Sequence, residues 1–151
     1  MLRKTLTVVA TLLVICTVAY AVYEQIVYGP TAKAKVPELQ AEAEAIPFPP
    51  EDVLVNQLAT HKSHHALVDR TYTSRLTYSQ LRAHYDAELS RRGWQFTREK
   101  PVRDWGRDLG GKDACYRKGE DVASLFFAGE RASYGWTYSI SFSWGLSQCK
   151  P

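Results

Sequence analysis

Apolar and polar positions along the chain fall into three regimes. From Thr5 to Tyr23, TLTVVATLLVICTVAYAVY, there is no charge and no Pro or Gly. At 1.5 Å per residue a helix over this stretch is about 28 Å long, against about 30 Å for a bilayer core, so residues 5–23 are predicted to form a transmembrane helix. Residues 24–50 form the second regime. They hold Pro30, Pro37, Pro47, Pro49 and Pro50 and the Ala/Glu stretch PELQAEAEA. This composition predicts a tether with at most a short solvated helix after Pro37, and no packed core.

The third regime, residues 51–151, is periodic. Tyr78, Leu81, Tyr85 and Leu89 recur at spacings of three and four, one face of a helix over Thr77 to Gly93. Thr77 and Gln80 are spaced as a capping box. Arg91 and Arg92 complement the C-terminal dipole, and Gly93 with Trp94 supplies a Schellman-type ending. Val53, Leu54, Gln57 and Leu58 share one helical face, so Glu51 to about His61 is predicted as a short helix behind Pro50.

Alternation of period two predicts strands over His65–Ser74, Gly93–Val102, Lys112–Lys118, Val122–Ala128 and Trp136–Trp144. The last, WTYSISFSW, is the clearest of them. A loop over Arg103–Gly111 and turns at Gly119-Glu120-Asp121 and Gly129–Gly135 separate the later strands. The fold class expected is α+β: an antiparallel sheet of about four to five strands, one main helix packed across it, and an N-terminal transmembrane helix ahead of it.

Charge changes this picture little. The chain carries 19 Lys and Arg against 16 Asp and Glu. Arg3 and Lys4 precede the apolar run and every acidic residue follows it, so the remainder holds 17 basic and 16 acidic residues, a net of +1. No basic block survives to mark a nucleic-acid partner. Residues 1–4 form a basic n-region that favours a cytoplasmic N-terminus, although Lys33 and Lys35 weaken the asymmetry. A competing reading is a signal peptide cleaved after Ala21, since Ala19-Tyr20-Ala21 matches a small-x-small site. A lipobox is disfavoured, because Ile15 before Cys16 is bulky. Anchor and signal peptide alike place the domain extracytoplasmically, membrane-held in the first case and secreted in the second.

Cys115 and Cys149 are the cysteines beyond the apolar segment, an even pair that suits a disulfide in an exported domain. The alternative is two unpaired thiols too far apart to bridge. His61, His64 and His65 form H-x-x-H-H at an expected helix-to-strand junction, with no Cys or carboxylate nearby in sequence. They read as solvated histidines, and no metal or cofactor is expected. His84 falls on the polar side of the main helix. Gly106 to Lys112 has the spacing of a phosphate-binding loop, but Asp113 stands where Ser or Thr is required and a strand follows where a helix is required.

Within the 103–111 loop, Arg103-Asp104-Trp105-Gly106 is nearly repeated as Arg107-Asp108-Leu109-Gly110. Self-neutralising charges on a hairpin loop would explain the pattern. Arg103, Asp104, Trp105, Arg107 and Asp108 equally carry the residue types that dominate protein interfaces, and they are the candidate interaction site. No nucleophile–base order or paired-carboxylate motif stands out, so no catalytic residue is assigned and an enzyme is not expected.

From Thr71 onward, Tyr72-Thr73, Tyr78 to Leu81, Tyr85, Leu89, Gly93-Trp94, Tyr116-Arg117-Lys118 and the aromatic final strand resemble small membrane-anchored extracytoplasmic bacterial domains of unknown function. The resemblance covers about half the chain. It implies an α+β domain at a cell envelope and carries over no catalytic residues. The expected role is a single-pass envelope protein whose outer domain mediates protein interaction or assembly. The alternative is a small-ligand-binding or sensory domain with an apolar pocket between sheet and helix.

Overall fold

A computed structural model describes residues 2–146 and Cys149. Met1, Ser147, Gln148, Lys150 and Pro151 lie outside the described residues, as do the side chains of Arg3 and Lys4, on which the expected orientation rests.

The first element, α1 (Leu2–Ala45), is a helix of 44 residues, about 66 Å at 1.5 Å per residue. Its apolar segment is long enough to cross a membrane and is not buried by the protein. The helix does not stop at the predicted tether. It runs through Pro30 and Pro37, although each proline removes a helix hydrogen bond at a cost of about 3 kcal/mol in an ordinary helix interior. The compensation is burial. Gly29, Ala32, Leu39, Ala43 and Ile46 are buried and Val36 is half-buried, an alternating three-and-four spacing that faces the sheet. The large members contribute roughly 1.5–3 kcal/mol each. Residues 24–45 therefore belong to the folded body, and the expected solvated linker is corrected to a core helix.

After α1 the chain forms β1 (Val53–Lys62), β2 (His65–Thr73), α2 (Tyr78–Arg91), β3 (Gln95–Asp104), β4 (Arg107–Lys118), β5 (Asp121–Phe127) and β6 (Tyr138–Trp144). All pairings are antiparallel, and the strands form one six-stranded sheet in the order β1-β2-β6-β5-β4-β3. The α+β class stands, with one strand more than expected. That strand is β1, predicted as a helix over Glu51–His61. A bulge between Leu54 and Asn56 breaks its alternation, so its apolar residues fall at positions that also fit a helix.

Helix α2 has the expected ends. The Thr77 hydroxyl accepts from the Gln80 N–H and the Gln80 side chain accepts from the Thr77 N–H, closing the capping box. At the far end Trp94 N–H donates to the Leu89 carbonyl and Gly93 N–H to that of Ser90, both at 3.0 Å, around Gly93 at φ 83°. This is a Schellman ending. Tyr78, Leu81, Tyr85 and Leu89 are buried against the inner sheet face, where Val68, Tyr72, Leu125, Tyr138, Ile140 and Phe142 meet both helices. Both helices cover this one face. Among the described residues, no helix lies on the opposite face of the sheet.

Candidate functional site

The strand register dictates what the helix-free face carries. Residues directly opposite one another share a face. One row across it is Asp69, Ser141, Ser124 and Cys115, and the next is Thr71, Ser139, Phe126, Asp113 and Lys100. Small hydroxyls at the centre leave a hollow of about 350 Å³ lined by Asp69, Lys100, Asp113, Ser124, Phe126, Ser139 and neighbours. The Ser124 hydroxyl donates to the buried Asp113 carboxylate at 2.5 Å, and Lys100 Nζ lies 3.5 Å from the same carboxylate. Asp69 accepts from the Thr71 hydroxyl at 3.1 Å. Burial pushes its carboxyl up, against the opposing hydrogen bonds from Thr71 and Ser139, and among the described residues it pairs with no cation.

Side-chain clusters adjoin lining residues of the hollow on two sides. On one side Cys149 lies against Cys115, with sulfurs at bonding distance and Cα atoms 5.7 Å apart. Together with Val122 they form a small buried cluster. The expected cysteine pair is thus brought together. On the other side Trp136 packs on Phe126 at 5.9 Å and Tyr134 stacks on Trp136 at 5.5 Å. Gly129, at the start of the segment that carries this aromatic wall, packs close on the backbone of β4: a Cβ there would sit 2.2 Å from the Leu109 carbonyl oxygen.

The aromatic wall leads to the interaction residues proposed from sequence. They lie on a tight hairpin rather than the predicted nine-residue loop. Arg103 and Asp104 end β3, Arg107 and Asp108 open β4, and the near-repeat is the two arms of one hairpin. Trp105 at φ 48° and Gly106 at φ 83° make the two-residue turn, and this pair of left-handed residues is a type I′ geometry. The Asp104 carboxylate pairs with Arg107. A hydrogen bond from Tyr134, then the one from Arg107, holds its pKa below the usual carboxylate range. Asp108 accepts from Gly110 N–H at 2.9 Å and lies 3.3 Å from Arg131. Trp105 itself is 96 % exposed.

Sequence reasoning singled out the Arg103–Asp108 residues, though as a loop, and the cysteine pair, and did not single out Asp69, Lys100 or Asp113. The available signal was parity: each lies on a strand at a position in register with the small serines of β6. The histidines His61, His64 and His65 sit at the β1–β2 turn, and among the described residues no group of three His, Cys, Asp or Glu is placed to hold a metal. His84 is half-buried on α2, with Nε2 2.8 Å from the Pro47 carbonyl.

No protein-family model, curated protein or solved structure matches the chain.

Proposed function

We propose that the chain is a single-pass membrane protein whose extracytoplasmic domain docks another protein through the Trp105 hairpin and the aromatic wall behind it. Arg3 and Lys4 ahead of the apolar segment favour a cytoplasmic N-terminus. A reporter fused after Pro151 that is active only in the cytoplasm would overturn that placement. One observation carries the docking surface: Trp105 combines 96 % exposure with positive φ. A bulky residue in the left-handed region costs about 1–3 kcal/mol, and such strain collects at functional positions. Among the described residues the indole makes no hydrogen bond or ring contact that would offset this cost. Trp and Arg are also among the residue types enriched at interface hot spots.

The test is crosslinking in intact membranes followed by isolation of the chain. Wild type is expected to retain a partner, and Trp105→Ala with Arg107→Ala to lose it while unfolding at the wild-type midpoint. Unchanged recovery in the double variant removes the site assignment.

A second reading has its own observation. The hollow contains Asp69, a partly desolvated carboxylate that pairs with no cation among the described residues, and hydroxyls on adjoining strands. A small amine- or hydroxyl-bearing ligand would suit those groups. This places a ligand on the open face, not between sheet and helix. Calorimetry with amino sugars against wild type and Asp69→Asn separates the readings.

A further inference from the structure

The helix that carries the apolar segment also holds the domain, and one point of contact fixes the domain's height. The apolar segment ends at Tyr23. Within the next five residues α1 touches the β1–β2 turn three times. Glu24 pairs with His64, Gln25 Oε1 accepts from the Ser63 hydroxyl at 3.1 Å, and the Tyr28 and His64 rings lie 4.2 Å apart. These are side-chain contacts on a continuous helix, so they leave the turn little freedom relative to the apolar segment.

Residues 24–28 rise about 7.5 Å beyond the end of that segment at 1.5 Å per residue. The headgroup layer on each side of a bilayer is roughly 5–7 Å thick, the difference between a core of about 30 Å and a whole of about 40–45 Å. The contacts therefore fall at headgroup depth. Tyr20, Tyr23 and Tyr28 are all exposed around this level, the aromatic pattern of a membrane–water boundary. At the turn, Lys62 is exposed and pairs with no acidic group among the described residues.

We infer that the β1–β2 turn, Lys62 to His65, is seated in the lipid headgroup layer, with the Lys62 ammonium on phospholipid phosphate, so that the domain is fixed to the bilayer rather than swinging above it. The inference rests on the membrane-anchor reading and adds to it a contact that an anchor alone does not require. An ammonium beside a phosphate gains a charge-assisted hydrogen bond. The His64–Glu24 pair and the Ser63–Gln25 bond keep the turn down on the helix. The far corner of the domain, at the Trp105 hairpin, lies at the other ends of the strands and stays clear of the bilayer.

The test uses the full chain with Cys16→Ala, since Cys16 is the free cysteine among the described residues. Single Lys62→Cys and Ser79→Cys variants are labelled with an environment-sensitive fluorophore in phosphatidylcholine vesicles containing a headgroup nitroxide lipid. The label at 62 is expected to be quenched several-fold more than the label at 79 on α2. Adding Ser63→Ala and His64→Ala is expected to reduce quenching at 62. Flotation of the vesicles separates the two ways of failing. A chain that floats but shows equal quenching at both positions overturns the headgroup contact and leaves the anchor standing. A chain that does not float overturns the anchor reading, and this inference with it.

Discussion

The Trp94 indole N–H donates to the Glu42 carboxylate at 3.2 Å. Glu42 also lies 2.7 Å from Lys118 and 3.5 Å from Arg92. The C-terminal part of α1 is thereby joined to the junction of α2 and β3 and to the end of β4. With Leu39 fully buried three residues earlier, this part of the chain is core. Leu39→Ala is expected to cost about 2–5 kcal/mol, as for a leucine removed from a close-packed interior. A chain starting at Glu51 should lose its cooperative urea transition, whereas one starting at Gln25 should keep it. A neutral Leu39→Ala, measured by urea unfolding of the latter chain, would return the segment to the status of a tether.

The sequence was legible wherever local rules and tertiary packing agreed. In α2 the Thr77 cap, the Tyr78–Leu89 stripe and the Gly93 ending each serve the helix locally and face the core globally, and all appear as expected. The alternation of β6 held for the same reason. Three failures have separate physical causes. Pro30 and Pro37 signal a break, yet the Gly29-to-Ile46 stripe packs well enough to carry the helix through them, and that stripe was present to be found. In β1 the bulge near Val55 shifts the parity and imitates a helical spacing. At Arg103–Gly111 a Trp-Gly pair makes a turn for which Asn-Gly or Gly-Gly is the recognised signal, so the hairpin looked like a loop. Parity alone puts Asp69, Ser139 and Ser141 on the polar faces of their strands, but the hollow also depends on which strands become neighbours: β6 inserts between β2 and β5 and brings Ser139 and Ser141 beside Asp69 and Thr71.

The Trp105 turn allows stability and binding to be pulled apart. Asn tolerates positive φ far better than Trp, and Asn-Gly is the preferred type I′ pair. Trp105→Asn is expected to stabilise the domain by about 1 kcal/mol through relief of backbone strain while reducing recovery of the crosslinked partner. Urea midpoints and partner yield from the same preparations supply both numbers. A variant that is less stable than wild type would show that the indole packs on its own domain.

Cys115 and Cys149 are separated by 34 residues. A crosslink closing a loop of that length stabilises by about 3–4 kcal/mol through the entropy of the unfolded chain. Cys115→Ser with Cys149→Ser, or reduction of the wild type, should lower unfolding stability by that order. Intact mass of the oxidised and reduced protein should differ by two hydrogen atoms. Equal masses, or equal urea midpoints with and without reductant, would show the thiols unpaired in the isolated protein.

Two carboxylates should bend the pH dependence of stability in opposite directions. Burial raises the Glu42 carboxyl, but the hydrogen bonds of Lys118 and Trp94, with the charges of Lys118 and Arg92, outweigh it and leave its pKa lowered. The unfolded chain then binds the proton more readily, so this contribution is present at neutral pH and is lost as pH falls through the lowered value. Asp69 is the reverse. Burial raises its pKa above the usual 3.8, so the folded state holds the proton more tightly, and stability is lost as pH rises from 3.8 through the raised value. Asp69→Asn removes the buried charge while keeping an acceptor for the Thr71 hydroxyl. It is therefore expected to raise the urea midpoint at pH 7 and to leave it unchanged below pH 3.8. Glu42→Gln is expected to lower the midpoint at pH 7, with the deficit shrinking in acid. Urea titrations of the three proteins across pH 3–8 check both signs together. A drop in stability at pH 7 for Asp69→Asn would mean that the carboxylate is held by interactions stronger than its desolvation, and the second reading of the hollow would lose the observation that favours it.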